Sequence, residues 1–86
     1  MTHLKIVYVE WADSETLNGW EPINSRDEEL PLAYSVGVYL NETEEFLELA
    51  HSVDPKNEAA NGRIKIPLSA IKKCRTLCQV QLKTKK

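Results

Sequence analysis

The sequence predicts an all-β domain, a small barrel of about five antiparallel strands with one short helical turn. Three observations lead there. Short stretches place apolar residues at every second position, the period of a strand. Gly, Pro, Asn and Asp punctuate the chain at close intervals. No segment sustains a helical apolar period over more than about two turns.

Each element follows in order. Residues 4–11, LKIVYVEW, alternate: Leu4, Ile6 and Tyr8 face one side, and Val7, Val9 and Trp11 the other. Both sides are apolar, as expected of a central strand or one that wraps a curved sheet. Residues 12–19, ADSETLNG, form a polar loop with an Asn-Gly turn signal. Ser25 stands three residues before Glu28, a capping-box spacing, and Pro31 limits that segment to one helical turn. AYSVGVYL, residues 33–40, is a strand, NETEE a turn, and FLELAHSV, residues 46–53, the return strand. Leu47, Leu49, His51 and Val53 share one of its faces, where a lone histidine reads as a hydrogen-bonded core residue. DPKNEAANG, residues 54–62, is expected to be a loop. GRIKIPL then turns Ile64, Ile66 and Leu68 inward and Arg63 and Lys65 outward, with Pro67 ending the ladder locally. SAI is a tight turn. The last strand, KKCRTLCQVQLK, carries Cys74, Thr76, Cys78, Val80 and Leu82 on one face, with Leu77 the exception on the other. Closure into an SH3-like or Sm-like barrel removes the open edges that invite aggregation.

The 86 residues are read as a single small β-barrel domain spanning 1–86, with 78–86 as a strand extension and basic tail. A chain this short buries only about 60–65% of its unfolded surface, so association is a common supplement. Residues 1–58 hold all thirteen acids against three bases, a net −10; residues 59–86 hold eight bases and no acid, +8. Such a split suits head-to-tail association of copies or an anion site on the later strands; pairing of the two halves within the domain is the plainer alternative. The first residues lack the long apolar core of a signal peptide, and no run is long enough to span a membrane. Two sparse cysteines, Cys74 and Cys78, read as reduced thiols. The expected location is the cytoplasm.

The ordered motifs resemble a family of short, poorly characterised proteins of bacteriophages and prophages. They are W-x-D-S at Trp11, Asp13 and Ser14, G-W at Gly19 and Trp20, and S-V-G at Ser35 to Gly37. Thr43-Glu44, Leu49-Ala50, Ile66-Pro67, Ile71 and Leu77 complete the pattern over residues 7–77. The resemblance implies a virus-borne accessory protein with a small β fold, acting in the host cytoplasm. The I-P-x-x-x-I ending also looks like the final strand pair of Sm-like barrels, although the Arg-Gly that those carry there is missing.

No nucleophile elbow, Gly-rich phosphate loop or H-x-x-x-H pair is present, so no catalytic residue, metal ligand or cofactor is assigned. The candidate ligand site is Trp20, with Asp13 and Ser14 pinning its loop and Arg63 and Lys65 as cations. Trp20 either completes the core or stacks on a base or ring; stacking contributes about 1–3 kcal/mol per base. Two function classes follow. One is a non-enzymatic, homo-oligomeric binding protein that sequesters a small anionic, nucleotide-like ligand. The other is an adaptor or inhibitor whose acidic loops engage a host protein. An Sm-like RNA-binding module is a further alternative.

Overall fold

The computed structural model describes residues 2–12 and 32–82. Five strands form one antiparallel sheet: β1 (His3–Ala12), β2 (Leu32–Glu42), β3 (Phe46–Asp54), β4 (Ala59–Pro67) and β5 (Ile71–Gln81). Their spatial order is β4-β3-β2-β1-β5. The all-β class and the five strands agree with the sequence. The turn expected around Ser25 to Glu28, and the tail from Lys83, lie outside the described residues. No helix among the described residues is long and apolar enough to cross a membrane.

The sheet folds over because β2 serves two partners. Its first half pairs with β1, from Leu32 opposite Ala12 to Val38 opposite Ile6. Its second half pairs with β3, from Val38 opposite Ala50 to Glu42 opposite Leu47. An irregularity at Leu40 bends the strand between its registers, as bulges do. Gly37 sits at the changeover. A Cβ there would lie 2.9 Å from the Ala50 carbonyl oxygen and 3.1 Å from Leu49 Cβ, so the close approach of β2 to β3 requires glycine.

Folding over brings β1 against β3 and β4. Val7 and Val9 of β1, Leu47 and Leu49 of β3 and Ile66 of β4 form the buried core, with Trp11, Tyr39, Leu68 and Ile71 packed at its margin. The alternation of β1 is thus real: Val7, Val9 and Trp11 point inward, and Ile6 and Tyr8 outward. Trp11 is tied down by its indole N–H, which donates to Ser35 Oγ at 3.0 Å.

The turns have identifiable causes. In the β2–β3 turn, Thr43 Oγ1 accepts from the amides of Glu45 and Phe46, both at 3.1 Å. A 3₁₀ turn, Leu68–Ala70, joins β4 to β5 and docks on the first turn through Leu68 N–H donating to Glu45 O at 2.9 Å. The β3–β4 connection is much shorter than the sequence predicts. Asp54 caps a 3₁₀ turn over Pro55–Asn57 and Glu58 closes it in the left-handed region, φ 51°. Residues Ala59 to Asn61 already belong to β4, opposite Asp54 to Ser52. The Asn61-Gly62 pair therefore marks no turn. Gly62 lies within the strand at φ +66°, where an added Cβ would come 2.7 Å from His51 Cβ. Glycine lets the hairpin pass the His51 side chain without losing register.

β5 also departs from the expected pattern. Its register on β1 shifts twice, so Leu77 and Lys72 are extra residues without direct partners. A one-residue insertion reverses the facing of everything beyond it. Cys74 and Thr76 therefore lie opposite Val9 and Val7 on the core side, whereas Cys78 and Val80 lie opposite Ile6 and Leu4 on the outer side. The single apolar row from Cys74 to Leu82 does not exist. Both cysteines are free and exposed. β4 and β5 stand at the two margins of the sheet, and no ladder joins them.

Candidate functional site

Of the five predicted site residues, Trp20, Asp13 and Ser14 lie outside the described residues. Arg63 and Lys65 share the outer face of β4, as alternation requires, opposite Ala50 and Glu48. Each is engaged. Arg63 Nη2 pairs with Glu48 Oε2 at 2.6 Å, and its Nε–H donates to the same oxygen at 2.8 Å. Glu48 is only 5% exposed. A carboxylate so withdrawn from water needs a compensating cation, and Arg63 supplies it. Lys65 Nζ rests 4.9 Å from the centroid of the Phe46 ring, a cation–π contact.

Beside this pair a cleft of about 370 Å³ is walled by Leu40, Asn41, Glu48, Asp54, Glu58 and Arg63. Three carboxylates against one paired guanidinium make it a poor anion site. His51 is not a core histidine. It is exposed, with Nδ1 2.8 Å from Ser52 Oγ, on the part of β3 beyond its last pair with β2, Val38 opposite Ala50. Among the described residues, no three His, Cys, Asp or Glu side chains gather in a way that would hold a metal ion.

A different face carries the denser set of recognition groups. β2, β1 and β5 form a three-stranded surface whose outer side is exposed at Tyr34, Val36, Lys73 and Arg75 and half-buried at Tyr8 and Glu10. Val36, Tyr8 and Arg75 stand side by side across it, and Tyr34, Glu10 and Lys73 make the next row. Tyr34 is 65% exposed and Val36 61%, with Leu32 exposed beyond them. The Tyr8 hydroxyl donates to Glu10 Oε2 at 2.6 Å. That bond holds the proton, and with partial desolvation and the nearby carboxylate charge it pushes the Tyr8 phenol up to about 12. Arg75 on the neighbouring strand pulls the other way. Rings, a carboxylate and two cations thus lie within two strand spacings, about 10 Å.

The sequence contained a signal for this face, namely Tyr8, Tyr34, Lys73 and Arg75 at alternate positions of three strands. Which strands were neighbours, and in which register, was not legible from periodicity. Compared with known proteins, the chain matches no family model, no curated protein and no solved structure.

Proposed function

We propose that this chain is a non-enzymatic binding protein that associates with copies of itself through its free sheet edges. One observation carries the reading. β5 is eleven residues long, pairs only with β1 among the described residues, and is exposed along its whole length after Ile71. An unpaired edge of that length, with Leu77 and Val80 exposed, is a template for another strand. The small core, which leaves β5 uncovered even on its inward side, gives association a stabilising role. On this reading the protein is an accessory factor of phage type acting in the host cytoplasm, and its assembled surface holds a small anionic ligand.

Light scattering tests it. At tens of micromolar (~50 µM, a range in which a stable interface is populated) the parent is expected to exceed the 9.8 kDa monomer mass. Leu77→Lys, at a half-exposed bulge position, is expected to return it to monomer with an unchanged circular dichroism spectrum. A monomeric parent would sink the association.

A further inference from the structure

We infer that the outer face of β2, β1 and β5, at its Tyr34 end, binds single-stranded nucleic acid, with Tyr34 and Tyr8 as base platforms and Lys73 and Arg75 as phosphate contacts. The inference deepens the anionic-ligand reading and rests on it, but does not depend on self-association.

The geometry is specific to this face. Tyr8 stands opposite Val36, and Tyr34 opposite Glu10, so the two tyrosines are diagonal neighbours on adjacent antiparallel strands. Such positions are about 7–8 Å apart, within reach of two successive bases of one strand. Tyr34 leaves most of its ring in water, and Val36 beside it is equally open. With Leu32, these residues present apolar side chains at alternate positions along one side of β2, where a planar base can be covered. Lys73 and Arg75 lie on the far side of β1, opposite Glu10 and Tyr8, on the strand that also carries Lys72. They line the margin of the same face where a backbone would run while its bases lie over the tyrosines. β5 carries no acid, so the cationic margin has no competing carboxylate on its own strand. Glu10 is the one carboxylate within the two rows. It accepts the Tyr8 hydrogen bond on one oxygen and stands opposite Lys73, and its second oxygen is an acceptor for a base amino group.

Charge complementarity selects an anion, and the rings select one with planar π faces. An acidic peptide would use the cations and leave Tyr34 without a stacking partner. A double helix would present its phosphates but not its bases to a flat sheet.

The test is fluorescence anisotropy with labelled ten-nucleotide single-stranded RNA and DNA (~10 nt, within the site size of small single-strand binders). Saturable binding by the parent is expected. Tyr34→Ala should weaken it about tenfold and Tyr34→Phe should retain it, because the ring and not the hydroxyl stacks. Lys73→Ala and Arg75→Ala should each weaken binding and flatten the dependence of log affinity on log salt by about 0.7. The variant Lys56→Ala, in the β3–β4 turn, should bind like the parent. Absence of binding by the parent overturns the proposal, as does Tyr34→Ala binding at parental affinity. If Tyr34→Ala loses binding together with self-association, the ring serves assembly and the proposal also fails. A monomeric parent that binds the oligonucleotide leaves the proposal standing and removes only the association.

Discussion

Glu48 and Arg63 show how one buried group dictates the role of its neighbour. The carboxylate is almost fully withdrawn from water, while the Arg63 side chain is 56% exposed. Removing the guanidinium strands a desolvated charge, whereas water still screens the pair from the outer side. Arg63→Ala is therefore expected to cost about 1–3 kcal/mol in urea denaturation, and Lys65→Ala much less. Equal effects would show that the ion pair has no special weight. Tyr8 makes a second prediction. Its proton is held by Glu10, so the folded pKa stands above the ordinary value of 10.0, at about 12. The sign follows from linkage: the fold favours the neutral phenol. The stabilisation from that group is complete below pH 10 and is lost as pH rises toward 12. An ultraviolet titration should find the Tyr8 phenol ionising late. Glu10→Gln should bring its ionisation to lower pH, and a late titration that survives this change would refute the assignment.

The β3–β4 hairpin divides into two parts with different support. From Phe46 to Ala50, β3 lies between β2 and β4 and is buried from Leu47 on. From His51 on, it pairs among the described residues with β4 alone, and both strands are exposed there but for the half-buried Val53. A two-stranded ribbon without a packed face is only marginally stable, so this arm should open locally far more often than the sheet centre. Amide hydrogen exchange should be orders of magnitude faster in the ladder from Ser52 to Asn61 than at Val7 and Val9. Comparable protection in both regions would mean that another surface covers the arm. The bulge in β5 is also a feature of the element. It separates Cys74 from Cys78 onto opposite faces of one strand, a more effective bar to their pairing than distance alone.

The core is small, and the whole molecule depends on it. A cluster of buried side chains among the described residues, Val7, Val9, Leu47, Leu49 and Ile66, holds β1 against the β3–β4 hairpin. Ile66 is completely buried where the folded-over sheet meets itself. Ile66→Ala should cost about 2–5 kcal/mol. Domains have only about 5–15 kcal/mol in total, so the variant should melt far lower or fail to fold. An unchanged melting temperature would place the stabilising contacts elsewhere. The distribution of charge also reads differently once the fold is known. Among the described residues the bases after residue 59 do not form one patch: Arg63 faces Glu48, Lys65 covers Phe46, and Lys73 and Arg75 line a separate face.

Much of the architecture was written in local pattern. The alternation of LKIVYVEW separated Val7, Val9 and Trp11 from Leu4, Ile6 and Tyr8, although only the fold showed which set faces the core, and that of GRIKIPL placed Ile64 and Ile66 opposite Arg63 and Lys65. Period-two patterning suffices because each strand has one face that must leave water. Three things were beyond its reach. The Leu77 insertion looks in sequence like any other strand residue, and only pairing with β1 reveals that it is extra. Asn61-Gly62 has turn chemistry, yet the Asp54 cap and the left-handed Glu58 made the turn four residues earlier and left Gly62 to relieve His51. Arg63 looked like a free cation, and its partner is a glutamate fifteen residues away. Each of these depends on which strands become neighbours and in what register. Those are long-range choices, made when one small core has to be closed from β1, β3 and β4 together.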